Sequence, residues 1–282
     1  MRTIITGITG QLGQALKHYL SQHNFDILDF PRHDVQDHTV VQKLSDYYPE
    51  LVIHCAAMTN VDGCAKDPDT AFSVNAFGTQ NIAHACLRCN AEMVYISTNE
   101  VFNGRSDRPY HEDDKPNPIN PYGSSKRSGE QMAAHYLKDG LYIVRTAWVY
   151  GGGHMFPEKI LAAAEKYGEL RVVTDEVSNP TYTFDLAEAI GKLVETHAYG
   201  TYHFTNAGYC SRYDYAKEVL RLGGREDVPV HPITLADYSR ASTVPPFAPL
   251  ANTKGAALGI TLRPWQEALA AHFEATHSAP MS

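Results

Sequence analysis

Three features of this 282-residue chain predict a doubly wound α/β fold with a smaller C-terminal lobe. The chain opens on a β-rich apolar run, Met1 to Thr6, which breaks into Gly7, Gly10 and Gly13 and continues as an amphipathic stretch. Strand-like and helix-like segments then alternate, without repeats or low-complexity linkers, to about residue 150. Beyond it the pattern loosens into Gly151-Gly152-Gly153, Pro157, Pro180 and the cluster Pro245, Pro246 and Pro249. Such alternation implies a parallel Rossmann-type sheet with ligands at the carboxyl ends of its strands. Residues 1–150 are therefore expected to bind a dinucleotide, with a returning segment near 181–206, and residues 151–282 to form mainly a substrate-binding lobe.

The first unit is strand, glycine turn and helix, spaced Gly-x-x-Gly-x-x-Gly, with Gln11 and Leu12 between the last two glycines. Glycines there let the backbone approach a pyrophosphate, whose charge is met by the N–H groups and the positive dipole end of the following helix. The next apolar stretch, Phe25 to Phe30, carries Asp29, placed about 20 positions beyond the glycines, where a carboxylate accepts hydrogen bonds from an adenosine ribose. Arg32 pulls the other way, since a guanidinium pairs with a 2′-phosphate, so NADH and NADPH both stay open. Asp34, Val35 and Asp37 follow in a loop suited to reading an adenine edge; Asp37 is equally a cap for a helix beginning near His38. Leu51 to Ala57 reads as a buried strand, Thr70 to Cys89 as a helix, Glu92 to Thr98 as a strand, 122 to 138 as a helix and Leu141 to Thr146 as a strand.

Tyr122 and Lys126 stand four residues apart, which on a helix places both on one face. A phenol of pKa about 10 is a poor proton donor at neutral pH, and a nearby ammonium brings that value down. Thr98, or else Ser97, ends a strand where a hydroxyl can donate to a carbonyl oxygen as it gains charge. Together these groups describe a carbonyl reduction: hydride comes from the nicotinamide, Tyr122 protonates the oxygen, and Lys126 keeps the phenol acidic and holds the nicotinamide ribose.

At 43% hydrophobic and 20% charged the chain can bury a large core, and a net charge of -8 without a basic stripe argues against a nucleic-acid partner. No apolar run reaches membrane-spanning length and no signal pattern precedes the first strand, so a cytoplasmic enzyme with a small-molecule substrate is expected. Five cysteines fit reduced thiols, and Cys86 and Cys89 lack the second ligand pair a metal site needs; no metal is expected, and a homodimer is left open.

Longer motifs carry a resemblance. Ala56-Ala57-Met58-Thr59-Asn60-Val61-Asp62, Asn75-Ala76-Phe77-Gly78-Thr79, Ser97-Thr98-Asn99-Glu100-Val101-Phe102-Asn103-Gly104 and Arg145-Thr146-Ala147-Trp148-Val149-Tyr150-Gly151 join the glycine loop and the Tyr-x-x-x-Lys pair. Over nearly its whole length the chain resembles an extended short-chain dehydrogenase/reductase, and within that group the dTDP-4-dehydrorhamnose reductase family. The resemblance implies that Thr98, Tyr122 and Lys126 are catalytic and that Ala56, Ala57, Thr59 and Asn75 line the cofactor. It further implies that Asn99, Glu100, Val101 and Phe102 border the substrate, a nucleotide-linked 4-keto deoxysugar, with Trp148 packed on the sugar.

The departures fall on the substrate side. Asn99-Glu100 replaces the family's Asp-Tyr, Asp175-Glu176-Val177-Ser178-Asn179-Pro180-Thr181 replaces its Asp-Gln-x-Gly-x-Pro-Thr, and Val244-Pro245 stands where Arg-Pro is expected. Arg240, four residues upstream of Val244, is the candidate to meet a diphosphate in its place. His154, Met155 and Phe156 are substrate contacts or lobe packing. Three other readings share the fold: a non-catalytic nucleotide-sensing module, like the regulatory subunit of methionine adenosyltransferase; a nucleotide-sugar epimerase or dehydratase with Glu100 as the added acid or base; and a reductase of a less charged carbonyl.

Overall fold

The structure, a computed structural model, describes residues 1–153 and 155–278. Its strands are β1 Arg2–Thr6, β2 Asp26–Ile27, β3 Leu51–His54, β4 Glu92–Thr98, β5 Leu141–Thr146, β6 Val149–Tyr150, β7 Leu170–Val173, β8 Val177–Ser178, β9 Thr181–Tyr182, β10 Gly200–His203, β11 Cys210–Ser211 and β12 Val230–Ile233. Between them run α1 Gln11–Leu20, α2 Thr39–Ser45, α3 Val61–Lys66, α4 Pro68–Phe72, α5 Gly78–Cys89, α6 Pro121–Tyr136, α7 Phe156–Tyr167, α8 Thr183–Glu195, α9 Arg212–Leu222, α10 Lys254–Ala257 and α11 Trp265–Ser278.

Six strands form one parallel sheet in the order β10-β5-β4-β3-β1-β2. β3 and β5 are buried along their whole length, the mark of strands covered by helices on both faces. On one face Leu12, Leu16 and Leu20 of α1 meet Leu186, Ile190 and Leu193 of α8; on the other Val40 and Leu44 of α2 meet Ile82 and Cys86 of α5. The strand order reverses between β1 and β3, so the connections leaving them part and open a crevice at the carboxyl end of the sheet. Away from the sheet, β6 pairs with β9, β7 with β12 and β8 with β11, and α7, α9 and α11 pack around Tyr150, Tyr215, Val219 and Trp265.

β4 and β5 occupy the spans their β-branched and aromatic residues predict. The apolar stretch Phe25 to Phe30 forms a strand only over Asp26–Ile27: the Phe30 N–H turns back to Leu28 O at 2.9 Å and leaves the ladder. The helix expected over 70–89 is interrupted by a π-helical turn at Ser73–Phe77. Asn75, fully buried there, gives Nδ2 to Met58 O and Ser125 Oγ, both at 3.0 Å, and takes the Met58 N–H on Oδ1 at 2.8 Å. The widened turn thus binds α6 and the segment after β3 to one side chain, as π-turns near functional sites often do.

Candidate active site

A cleft of about 1030 Å³ lies over the crevice. Its floor is the glycine loop, and the three glycines there do different work. Gly7 holds a left-handed φ of 72°, and a Cβ on it would lie 2.8 Å from Ala56 N; one on Gly13 would lie 2.4 Å from Gly7 O. Those two let the loop close on itself and on the end of β3. A Cβ at Gly10 would meet only Gly7 O, at 3.2 Å, and Gly10 caps α1 with no side chain. Gly10, Gln11, Leu12 and Gly13 therefore line the cleft with the first turn of α1 open to it, a cradle that fits the pyrophosphate of a dinucleotide.

Arg32, Asp34 and Val35 line the same cleft, as do Ala56, Ala57 and Thr59. Asp29 is not among the lining residues: β2 ends before it and its side chain is exposed. Asp34 closes its loop by accepting the Gln36 N–H at 3.0 Å, and Asp37 takes the Thr39 N–H at 2.9 Å at the start of α2. Asn75 lies beneath the wall in the π turn rather than on the cleft.

α6 begins with Pro121 in its first turn and Asn120 as cap, whose Oδ1 takes the Gly123 N–H at 2.7 Å. Tyr122 and Lys126 follow on one face and line the cleft with Thr98. Of the two strand-end hydroxyls, Ser97 is committed: its Oγ donates to Glu130 Oε1 at 2.6 Å, beside the buried Arg145–Glu130 pair at 2.8 Å. Thr98 Oγ1 accepts the Glu100 N–H at 3.2 Å, donates to Asn99 Oδ1 at a longer 3.3 Å, and lines the cleft.

The charges differ from the expected pattern. Burial raises the Tyr122 phenol well above its ordinary range, Glu100 adds to the rise, and Thr98 opposes it. Burial also brings Lys126 down to about 7 against the pull of Glu130, and its Nζ sits 4.1 Å from the Tyr95 ring centroid. Burial therefore dominates both groups, and the phenol stands above its ordinary range rather than below it. Glu100 is held by Asn120 Nδ2 at 2.6 Å; burial pushes its carboxyl up to about 7, Asn120 opposes this, and Glu176 reinforces it.

The substrate side departs most from expectation. Val101 and Phe102 are buried off the cleft, Phe102 stacked on Tyr110 with centroids 4.1 Å apart. Asn99 reaches the cleft, yet its Nδ2 is tied to Ser178 Oγ at 3.0 Å. Arg240 does not line the cleft: its Nε donates to Asp62 Oδ1 at 3.2 Å and its Nη1 lies 3.8 Å from Glu176 Oε2. Trp148 lines it with a left-handed φ of 42°, a conformation a bulky residue holds only when its surroundings impose it. A residue the sequence did not point to, Arg212, covers that indole, its guanidinium carbon 3.6 Å from the ring centroid. Met155 and Phe156 line the cleft as well; His154 lies outside the described residues.

The sequence profile of the RmlD substrate binding domain family matches residues 1–278. The chain belongs to that family. It is 38% identical over 282 residues to the spore coat polysaccharide biosynthesis protein SpsK of Bacillus subtilis, covering 99% of each chain. It is 37% identical over 276 residues to the dTDP-4-dehydrorhamnose reductase of Mycolicibacterium smegmatis, covering 95% of this chain and 84% of that one. A crystal structure of dTDP-4-dehydrorhamnose reductase from Bacillus anthracis in complex with NADP superposes with a TM-score of 0.91 at 35% identity, over 97% of this chain and 99% of that one.

Proposed function

We propose that this chain is an NADPH-dependent reductase of the 4-keto group of a nucleotide-linked deoxysugar, acting on dTDP-4-dehydrorhamnose or a close relative of it. The observation that carries the reading is the convergence of Thr98, Tyr122 and Lys126 on the cleft that the glycine loop opens, in a chain whose relatives bear that reductase name. The bound dinucleotide supplies the hydride. The chain's own groups do the rest: Thr98 Oγ1 donates to the carbonyl oxygen as negative charge gathers there, and the Tyr122 phenol delivers the proton to that oxygen. Lys126, poised near 7, holds the ribose side of the cofactor and returns a proton toward Tyr122. Glu100 protonated spares the phenol a neighbouring negative charge, whereas Glu100 ionised makes Tyr122 a weaker acid. Preference for NADPH over NADH rests on Arg32, which lines the cleft, and on Asp29, which does not.

Purified protein is to be assayed with NADPH and NADH in turn against dTDP-linked 4-keto sugars and simple ketones. Stoichiometric NADPH loss with a dTDP-linked 4-keto sugar is the expected outcome, and no loss with any such sugar overturns the reading. One observation favours a second activity class: Glu100 is a half-buried carboxyl on the cleft whose charge is felt by the phenol, as an epimerase would need. Product formation without net NADPH consumption would establish that alternative.

A further inference from the structure

Beside the substrate side of the cleft runs a chain of four alternating charges, Asp62, Arg240, Glu176 and Arg212, of which Arg212 lines the cleft. Arg240 Nε donates to Asp62 Oδ1 at 3.2 Å, Arg240 Nη1 stands 3.8 Å from Glu176 Oε2, and Arg212 sends Nε and Nη2 to Glu176 Oε1 at 3.1 and 3.0 Å. The two guanidinium groups are not equivalent. Arg240 lies between two carboxylates, and Asp62 also accepts the Ser242 N–H at 2.9 Å, so that end of the chain ties the 240–242 segment to the start of α3. Arg212 is the terminal charge at the other end, and it faces the cleft.

Three features make Arg212 a fixed donor with capacity left. The guanidinium carbon lies over Trp148, 3.6 Å from the ring centroid, and 5.1 Å from that of Phe156. Stacking of this kind leaves the in-plane N–H groups free to donate. Glu176, itself only 12% exposed at its side chain, sets the rotation of the plane. Among the described residues nothing accepts a hydrogen bond from Arg212 Nη1. Of the other Lys and Arg side chains lining the cleft, Arg32 stands past β2 at the adenosine end and Lys126 is buried beside Tyr95. A substrate diphosphate, which would otherwise face the Glu100 carboxyl, has Arg212 as its remaining counter-charge on the lining.

We propose that Arg212, oriented by Glu176 and Trp148, is the residue that binds a phosphate of the substrate's nucleoside diphosphate, taking the place for which Arg240 is the sequence-level candidate. The inference rests on the nucleotide-sugar reading above, yet it is tested without turnover. Thymidine 5′-diphosphate is titrated calorimetrically into NADPH-loaded wild type, Arg212→Ala, Arg212→Lys and Arg240→Ala, at low and at high salt. Loss of a charge-assisted bond predicts about tenfold to hundredfold weaker binding by Arg212→Ala. Partial recovery is expected in Arg212→Lys, and a salt dependence shallower in Arg212→Ala than in wild type. Arg240→Ala, losing an already neutralised cation, should stay within about threefold. Unchanged NADPH affinity in each variant certifies the fold. Arg212→Ala binding the diphosphate as tightly as wild type, or losing affinity with an unaltered salt dependence, overturns the assignment and leaves the reductase reading standing. Wild type that does not bind the diphosphate at all removes both.

Discussion

Where the cleft meets the glycine loop its wall is backbone, three glycines and the first turn of α1 within a single stretch of sequence. Where it meets Trp148 its wall is side chains from separated segments: Glu100 after β4, Trp148 before β6 and Arg212 at the start of α9, with Glu176 behind them. The first kind of wall is indifferent to which sugar arrives, because backbone amides recognise a phosphate and nothing beyond it. The second kind is specific and replaceable, since each member can change without disturbing the sheet. Of the departures from the resembled family, Glu100 stands on the second wall and Glu176 and Val244 lie off the lining, while Tyr122, Lys126 and Thr98 stand at the seam between the two walls.

The largest effect should come from that seam. Tyr122→Phe removes the proton that the carbonyl oxygen needs, and turnover should fall about 10²- to 10⁴-fold in a steady-state assay, with NADPH affinity nearly unchanged. Retention of more than about a tenth of turnover would remove Tyr122 from the role of acid.

On the backbone wall the glycines should separate. Gly10→Val projects toward the pyrophosphate and is expected to weaken NADPH binding by about a hundredfold or more, with Tm moved by only a few degrees. Gly13→Val instead forces a Cβ to 2.4 Å from Gly7 O, so its signature is a lower Tm, of the order of 1–3 kcal/mol of overpacking. If both variants lose binding and stability alike, the division between an approaching glycine and a packing glycine is wrong. Past β2, on the same cofactor side of the cleft, Arg32→Ala should raise KM for NADPH by about tenfold and leave NADH unaffected. Equal effects on the two cofactors would mean that Arg32 does not meet the 2′-phosphate.

The same contrast governs what could be read from the sequence. The glycine loop and the Tyr122–Lys126 pair are local, read from spacing and periodicity within one stretch, and β4 and β5 follow from short runs rich in β-branched and aromatic residues. Asp29 stands off the lining because a two-residue strand ends where the sequence still looks extended. Arg240 is near Val244 along the chain, yet its guanidinium is held by Asp62 and Glu176. Arg212 gave no signal: a lone arginine opening a helix acquires meaning only through Glu176, 36 residues away, and through Trp148. The π turn at Asn75 was hidden for the same reason, its cause being Met58 and Ser125 rather than any local propensity.

The smallest expected effect tests the side-chain wall through pH. Glu100 is held near 7 in the folded chain against an ordinary value of 4.5, with Asn120, Glu176, Arg240 and Arg212 facing it and its charge felt by Tyr122 and Cys64. Between those two values the folded chain keeps a proton that the unfolded chain has released. The stability this contributes is therefore complete below about pH 4.5 and gone once pH has risen through about 7. Lys126 titrates in the upper part of that range with the opposite sign: its folded value is lowered to about 7 from 10.5, so stability is regained as pH climbs above 7. Because Glu100→Gln keeps Lys126, the difference between wild type and variant cancels the lysine and isolates the carboxyl. Denaturant titrations at pH 4.5, 5.5, 6.5 and 7.5 should show wild type losing about 1–3 kcal/mol relative to Glu100→Gln across the series, the upper figure reduced by whatever water reaches the cleft. A constant difference would mean that the Glu100 carboxyl keeps its ordinary value in the folded chain, so that near neutrality the substrate wall carries a full negative charge against which Arg212 must work.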